Sequence, residues 1–157
     1  MLKINDDLFN YYNRKGFIIV IFINNTQLPY SKINLPNNNY FASLFKNISK
    51  TLNQNLDNII YEKIRENGFK TQLIKLDLTY HNRIIIMPSK WHYDDINGDV
   101  LLFQESCNQL LKLTKNLLTT KVILPKLNFK NIGLKQDTID LIIRDKFNDK
   151  YWIIENE

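Results

Sequence analysis

Glycine, proline, histidine, alanine and cysteine are all scarce in this chain. Its 157 residues include four glycines, four prolines, two histidines, one alanine and one cysteine. A lone thiol, Cys107, excludes a disulfide-stapled scaffold, and two imidazoles, His81 and His92, give no cluster with metal-ligand spacing. No metal site and no cofactor are therefore expected. Apolar runs are short as well: none approaches the roughly 20 residues that span a bilayer. The N-terminus has no basic segment followed by a hydrophobic stretch and a small-residue cleavage site. A soluble, cytoplasmic protein with no membrane partner is the expectation.

What the chain does have is asparagine, isoleucine and lysine: 22, 22 and 17 residues against four arginines. That profile is expected where an AT-rich genome biases codon use, so part of the net charge of +5 reflects coding rather than function. No block of five or six like charges forms a basic arm. With 44% hydrophobic and 24% charged residues, the length suits one domain with a sizeable core.

Strand and helix patterns alternate. Phe17 to Ile23 (FIIVIFI) is an unbroken apolar run between Gly16 and Asn24, which suits a central strand covered on both faces. Further strands are predicted at Leu2 to Asn5, Leu73 to Leu78, Ile84 to Met87, Val122 to Leu124 and Tyr151 to Ile154. Helical spacing marks Asp99 to Leu118 and Gln136 to Phe147, with weaker patterns over Phe41 to Leu52 and Asn58 to Glu66. The stretch Asn24 to Tyr40, with Pro29, Pro36 and three consecutive asparagines, reads as a long irregular loop. These alternations predict a single α/β domain over residues 1–157, with a mixed sheet of about six strands flanked by helices.

Ligands of open α/β sheets bind beyond the carboxyl ends of the strands. Four segments qualify: Asp6-Asp7, the loop from Asn24 to Tyr40, Pro88 to Tyr93, and Pro125 to Leu134. Together they offer a carboxylate, amides, a lysine, aromatics and a turn entering a helix, an inventory suited to a phosphate-bearing nucleotide. The turn Asn128-Phe129-Lys130-Asn131-Ile132-Gly133 is placed to cradle a diphosphate on backbone N–H groups, with Lys130 adding charge.

The run from IIIMPSKWHY through VILPKLNFKNIGL resembles the second half of macro domains, the ADP-ribose-binding family, and within it the DarG-type group, which removes ADP-ribose from DNA. That group carries P-T-K-x-H-W after one strand and P-x-L-G-C-G-x-G-G-L after a later one. Pro88, Ser89, Lys90, His92 and Tyr93 match the first motif, and Pro125, Leu127, Asn131, Gly133 and Leu134 the second. KINDDLF is similar to the family's opening strand, and IVIFIN to its asparagine-bearing strand. The resemblance implies a three-layer macro-domain fold, Asp7 on the adenine amino group, Asn24 and Asn25 with Lys90 near the distal ribose, and the 128–133 turn on the diphosphate. It also implies a catalytic role for Lys90 if the protein is an enzyme. The chain departs from the family in its ligand loops: residues 24–41 contain no glycine, and Asn128-Phe129-Lys130 replaces G-C-G.

Bland readings stand beside the sharp ones. Asp7 equally suits a helix or turn cap, Lys90 a solvated lysine, Asn24 and Asn25 loop structure, His92 a packed residue, and Phe129 a plug of the pocket. Three functions follow. The chain binds ADP-ribose or a related nucleotide without turnover, cleaves ADP-ribose from DNA or protein through Lys90, or keeps the fold as a scaffold for protein or nucleic acid.

Overall fold

The computed structural model describes residues 1–25, 39–79, 81–92 and 95–156. Six strands, β1 (Leu2–Ile4), β2 (Phe17–Ile23), β3 (Gln72–Lys75), β4 (Arg83–Pro88), β5 (Lys121–Leu124) and β6 (Tyr151–Ile154), form one sheet in the order β1-β6-β5-β2-β4-β3. Only β3 runs antiparallel, against β4; the other five point the same way. Five helices accompany the sheet: α1 (Asn39–Leu52), α2 (Leu56–Asn67), α3 (Val100–Thr114), α4 (Phe129–Ile132) and α5 (Gln136–Ile143). The result is the predicted mixed six-stranded sheet flanked by helices.

The sheet's centre is where the sequence is most apolar. Every residue of β4 is buried, as is every residue of β2 after Phe17, because neighbours cover both faces. The long helix α3 starts at Asp99, whose carboxylate accepts from the N–H groups of Leu101 and Leu102. It lies across the sheet: Thr71 Oγ1, beside β3, donates to Ser106 O, while Thr114 Oγ1 meets the Tyr151 hydroxyl at β6. Its inner face carries Phe103 and Cys107 into the core, and burial pushes the Cys107 thiol up to about 12.

Element ends depart from their sequence-based bounds where polar contacts override the apolar pattern. The strand predicted to Leu78 stops at Lys75, because Leu76 N donates to Asn82 O and Asp77 holds a tight turn through Thr79 and Asn82, leaving Leu78 fully exposed. Helix α3 stops at Thr114 rather than Leu118, and Leu118 is exposed. Helix α5 stops at Ile143, since Arg144 is extended and Asp145 adopts a φ of 60°. Most of the predicted 24–40 loop lies outside the described residues; its last two residues begin α1.

The Asp77 turn is anchored from elsewhere. Asn82 passes Asp77's grip on to Tyr12, whose hydroxyl donates to Asn82 Oδ1 across 70 positions of sequence. Burial raises the Tyr12 pKa to about 12 against an ordinary 10, with Asp77's charge adding to the effect. A tyrosine protonated more tightly when folded contributes stability that is full below pH 10 and is lost as pH rises from 10 through 12. Tyr12→Phe should cost about 1 kcal/mol in urea unfolding at pH 7 and flatten part of the alkaline decline seen in wild type.

Candidate functional site

Five parallel strands place the segments that follow them at one sheet edge, and hydrogen bonds join the segments after β2, β4 and β5. Ser89 N donates to Ile23 O at 3.1 Å and Asn25 N to Trp91 O at 2.8 Å, so the chain beyond β2 and the chain beyond β4 stay paired after the strands end. Asn24 is buried between them and Asn25 is exposed.

Lys90 leaves β4 toward the turn that follows β5, where its ammonium donates to Lys130 O at 3.3 Å. The lysine is partly buried, and loss of water holds its pKa below the ordinary value, with Asp95 acting in the opposite direction. Trp91 turns outward, yet its Nε1 donates to Asp99 Oδ2 at 2.9 Å, and its ring packs on Phe69 with centroids 5.4 Å apart. The donors Trp91 and Leu102 N hold the Asp99 carboxyl below its usual range. One carboxylate thus caps α3 and fixes the aromatic beside Lys90. His92 and Asp95 are tied reciprocally: His92 N donates to the Asp95 carboxylate at Oδ2, and Asp95 N donates to His92 O. Tyr93, expected in this motif, lies outside the described residues.

The turn after β5 folds as the short helix α4. Asn128 caps it, its Oδ1 accepting from Asn131 N and its carbonyl from Ile132 N, while Gly133 N donates to Phe129 O. Asn131 is buried, with Nδ2 on Lys126 O. The N–H groups of Asn131, Ile132 and Gly133 are therefore engaged inside the turn, whereas the Phe129 ring and Lys130 project outward. The cradle read from the sequence is thus self-bonded over those three residues.

Sequence reasoning missed Gly98. Gly98 N donates to Gly133 O at 2.7 Å, and a Cβ on Gly98 would lie 2.1 Å from Ile132 O. A Cβ on Gly133, whose φ is +78°, would lie 2.5 Å from Gly98 N. Two of the chain's four glycines thus meet backbone to backbone, joining the loop before α3 to the end of α4. The available signal was a glycine directly before the cap residue Asp99.

Asp7 follows β1 at the same sheet edge and begins the 3-10 turn Leu8–Tyr11, with Oδ1 accepting from Phe9 N. The cap reading of this residue is what its one bonded oxygen does; Oδ2 has no partner among the described residues. Its neighbour Asp6 is occupied by Asn10, Tyr11 and Asp7 N, which lower its pKa. No group of three or more His, Cys, Asp or Glu among the described residues is arranged to hold a metal ion, and no described helix is long and apolar enough to cross a membrane.

Parallel strands with loops joined at their carboxyl ends define an open α/β class of architecture. Solved structures narrow it to one fold. The macrodomain of Mycobacterium tuberculosis DarG superposes with a TM-score of 0.67 at 14% identity, over 100% of this chain and 97% of that one. A macrodomain protein from Streptomyces coelicolor gives 0.64 at 10% identity, over 99% of both chains. Thermosipho africanus DarTG in complex with ADP-ribose gives 0.64 at 12% identity, over 95% of this chain and 39% of that longer one. The chain has the macrodomain fold. No family model matches its sequence, and no curated protein matches it by sequence.

The glycine contact tests the site's framework. Gly98→Ala should destabilise the protein by about 2 kcal/mol or more, lowering Tm by about 4–8 °C, because the atoms it meets are backbone and cannot swing aside. Asn97→Ala, one residue earlier and exposed, should leave Tm within about 1 °C in the same thermal scan.

Proposed function

We propose that this chain binds ADP-ribose or an ADP-ribose-derived nucleotide at the carboxyl edge of its sheet, as a reader of ADP-ribosylated partners or a sequestering module. The observation that carries the reading is the joining of three loops in a macrodomain fold, with Lys90 reaching the turn beyond β5. One similar structure, the Thermosipho africanus protein, is a complex with ADP-ribose. In this reading the open oxygen of Asp7 accepts from the adenine amino group. Asn24 and Asn25 line the distal ribose. Lys90 stands near the distal ribose, Lys130 supplies positive charge to the diphosphate, Asn128, Asn131, Ile132 and Gly133 fix the turn's shape, and Phe129 offers a ring to stack on the ligand.

A second reading, an ADP-ribosyl glycohydrolase acting on DNA or protein, is favoured by the environment of Lys90. Partial burial lowers its pKa and so raises the fraction of neutral amine available for nucleophilic or acid–base work.

Calorimetry with ADP-ribose, AMP and NAD tests the first reading: saturable binding selective for ADP-ribose is expected. Lys90→Ala should weaken it about tenfold through loss of a charge-assisted contact, and wild-type affinity should fall as pH rises through the lowered Lys90 pKa. Absence of binding to any of the three would reject this reading. Release of ADP-ribose from a modified oligonucleotide by wild type, abolished in a Lys90→Ala protein that still binds, would establish the enzyme instead.

A further inference from the structure

The opposite edge of the sheet, where the parallel strands begin, carries cations with little to neutralise them. Tyr151 pairs with Val122 and Phe17 with Lys121, so Lys150, Lys121 and the Arg14-Lys15-Gly16 turn sit at the starts of three adjacent strands, β6, β5 and β2. Neighbouring strands lie about 4.8 Å apart, so these charges follow a line of roughly 10 Å. Backbone bonds fix the line: Lys121 N donates to Gly16 O at 2.8 Å and Val122 N to Lys150 O at 3.0 Å. Lys115 extends it from the end of α3, because Lys150 Nζ donates to the carbonyl of the adjacent Thr114 at 2.6 Å.

Arg14, Lys15, Lys115 and Lys121 are exposed, and neither these four nor Lys150 forms an ion pair among the described residues. Nearby carboxylates are turned to other uses. Asp149 pairs with the N-terminal ammonium, and Asp6 accepts from Asn10 and Tyr11 and reaches Arg14 only through a weak long-range attraction. Arg14 instead lies over Phe17, 4.9 Å from the ring centre, which holds its guanidinium beside the line. Like charges kept side by side without counter-ions cost stability; burial is the main cause that lowers the Lys150 pKa, and the charge of Lys121 adds to it. A bound polyanion removes that cost.

We propose that this edge is a docking surface for the phosphodiester backbone of a nucleic acid, separate from the nucleotide site at the opposite edge. A linear, densely charged polymer matches a row of cations set at strand spacing, and the exposed Asn116 and Thr119 in the adjoining loop add neutral donors for phosphate oxygens. Acidic peptides carry sparser charge. A lipid surface calls for an apolar cluster among the lysines, where this loop exposes only Leu118. The contacts are to backbone alone, so binding is indifferent to sequence and steeply dependent on salt.

The test measures anisotropy of a labelled, unmodified 20-nucleotide strand and of its duplex against salt. The proteins compared are wild type, Lys15→Glu/Lys115→Glu/Lys121→Glu, and a control with the same change in net charge, Lys46→Glu/Lys63→Glu/Lys70→Glu. The first triple variant should bind at least tenfold more weakly at 0.1 M salt, with a log–log salt slope shallower by about 2–3, while the control stays within about threefold of wild type. ADP-ribose calorimetry on the same proteins is expected to be unchanged, so failure of this surface and failure of the nucleotide site are read separately. The proposal is overturned if wild type binds neither oligonucleotide, if both triple variants lose affinity alike, or if phosphatidylserine vesicles or polyglutamate compete as well as the oligonucleotide.

Discussion

The contact on which the site depends is the one between Gly98 and Gly133. Their backbones come closer than any side chain allows, and the hydrogen bond from Gly98 N to Gly133 O crosses between the loop entering α3 and the turn leaving α4. Asp99, one residue on, caps α3 and receives the Trp91 indole, which fixes the segment carrying Lys90. Lys90 then closes the circuit on Lys130. Substituting either glycine pushes apart main chain that several side chains use as their reference.

The two sheet edges divide the chemistry because five strands are parallel. At the carboxyl edge, loops are long, mutually bonded and rich in aromatic and amide groups; at the amino edge, turns are short and lysines stand without carboxylate partners among the described residues. Helix α3 spans between them, from its Asp99 cap to the Thr114 carbonyl that accepts from Lys150. That geometry also suits the helix dipole, with a carboxylate at the amino end and an ammonium at the carboxyl end.

Much of this was legible beforehand. All six strands and four of the helices were readable, because apolar runs such as FIIVIFI and stripes such as Ile139 and Ile142 report burial directly. Element ends were misread where a side chain competes with the apolar pattern: Asp77 and Asn82 cut β3 short, and leucine at 118 continued a pattern without continuing a helix. The site was legible as a set of loops after strands, but its bonding was not. No periodicity announces that Asn128 will cap its own turn, or that Gly98 lies against Gly133, since both depend on contacts between segments distant in sequence. Asp7 showed the same limit, with one oxygen capping and the other without a partner among the described residues.

Cys107 is the chain's one sulfhydryl, sits sealed beneath α3, and has its ionisation suppressed by burial. A maleimide in solution meets it only when the packing around that helix opens, so the rate of adduct formation under native conditions reports how often the core around α3 opens. The protein therefore carries a natural probe of opening around its central helix, and no engineered label is needed to read it.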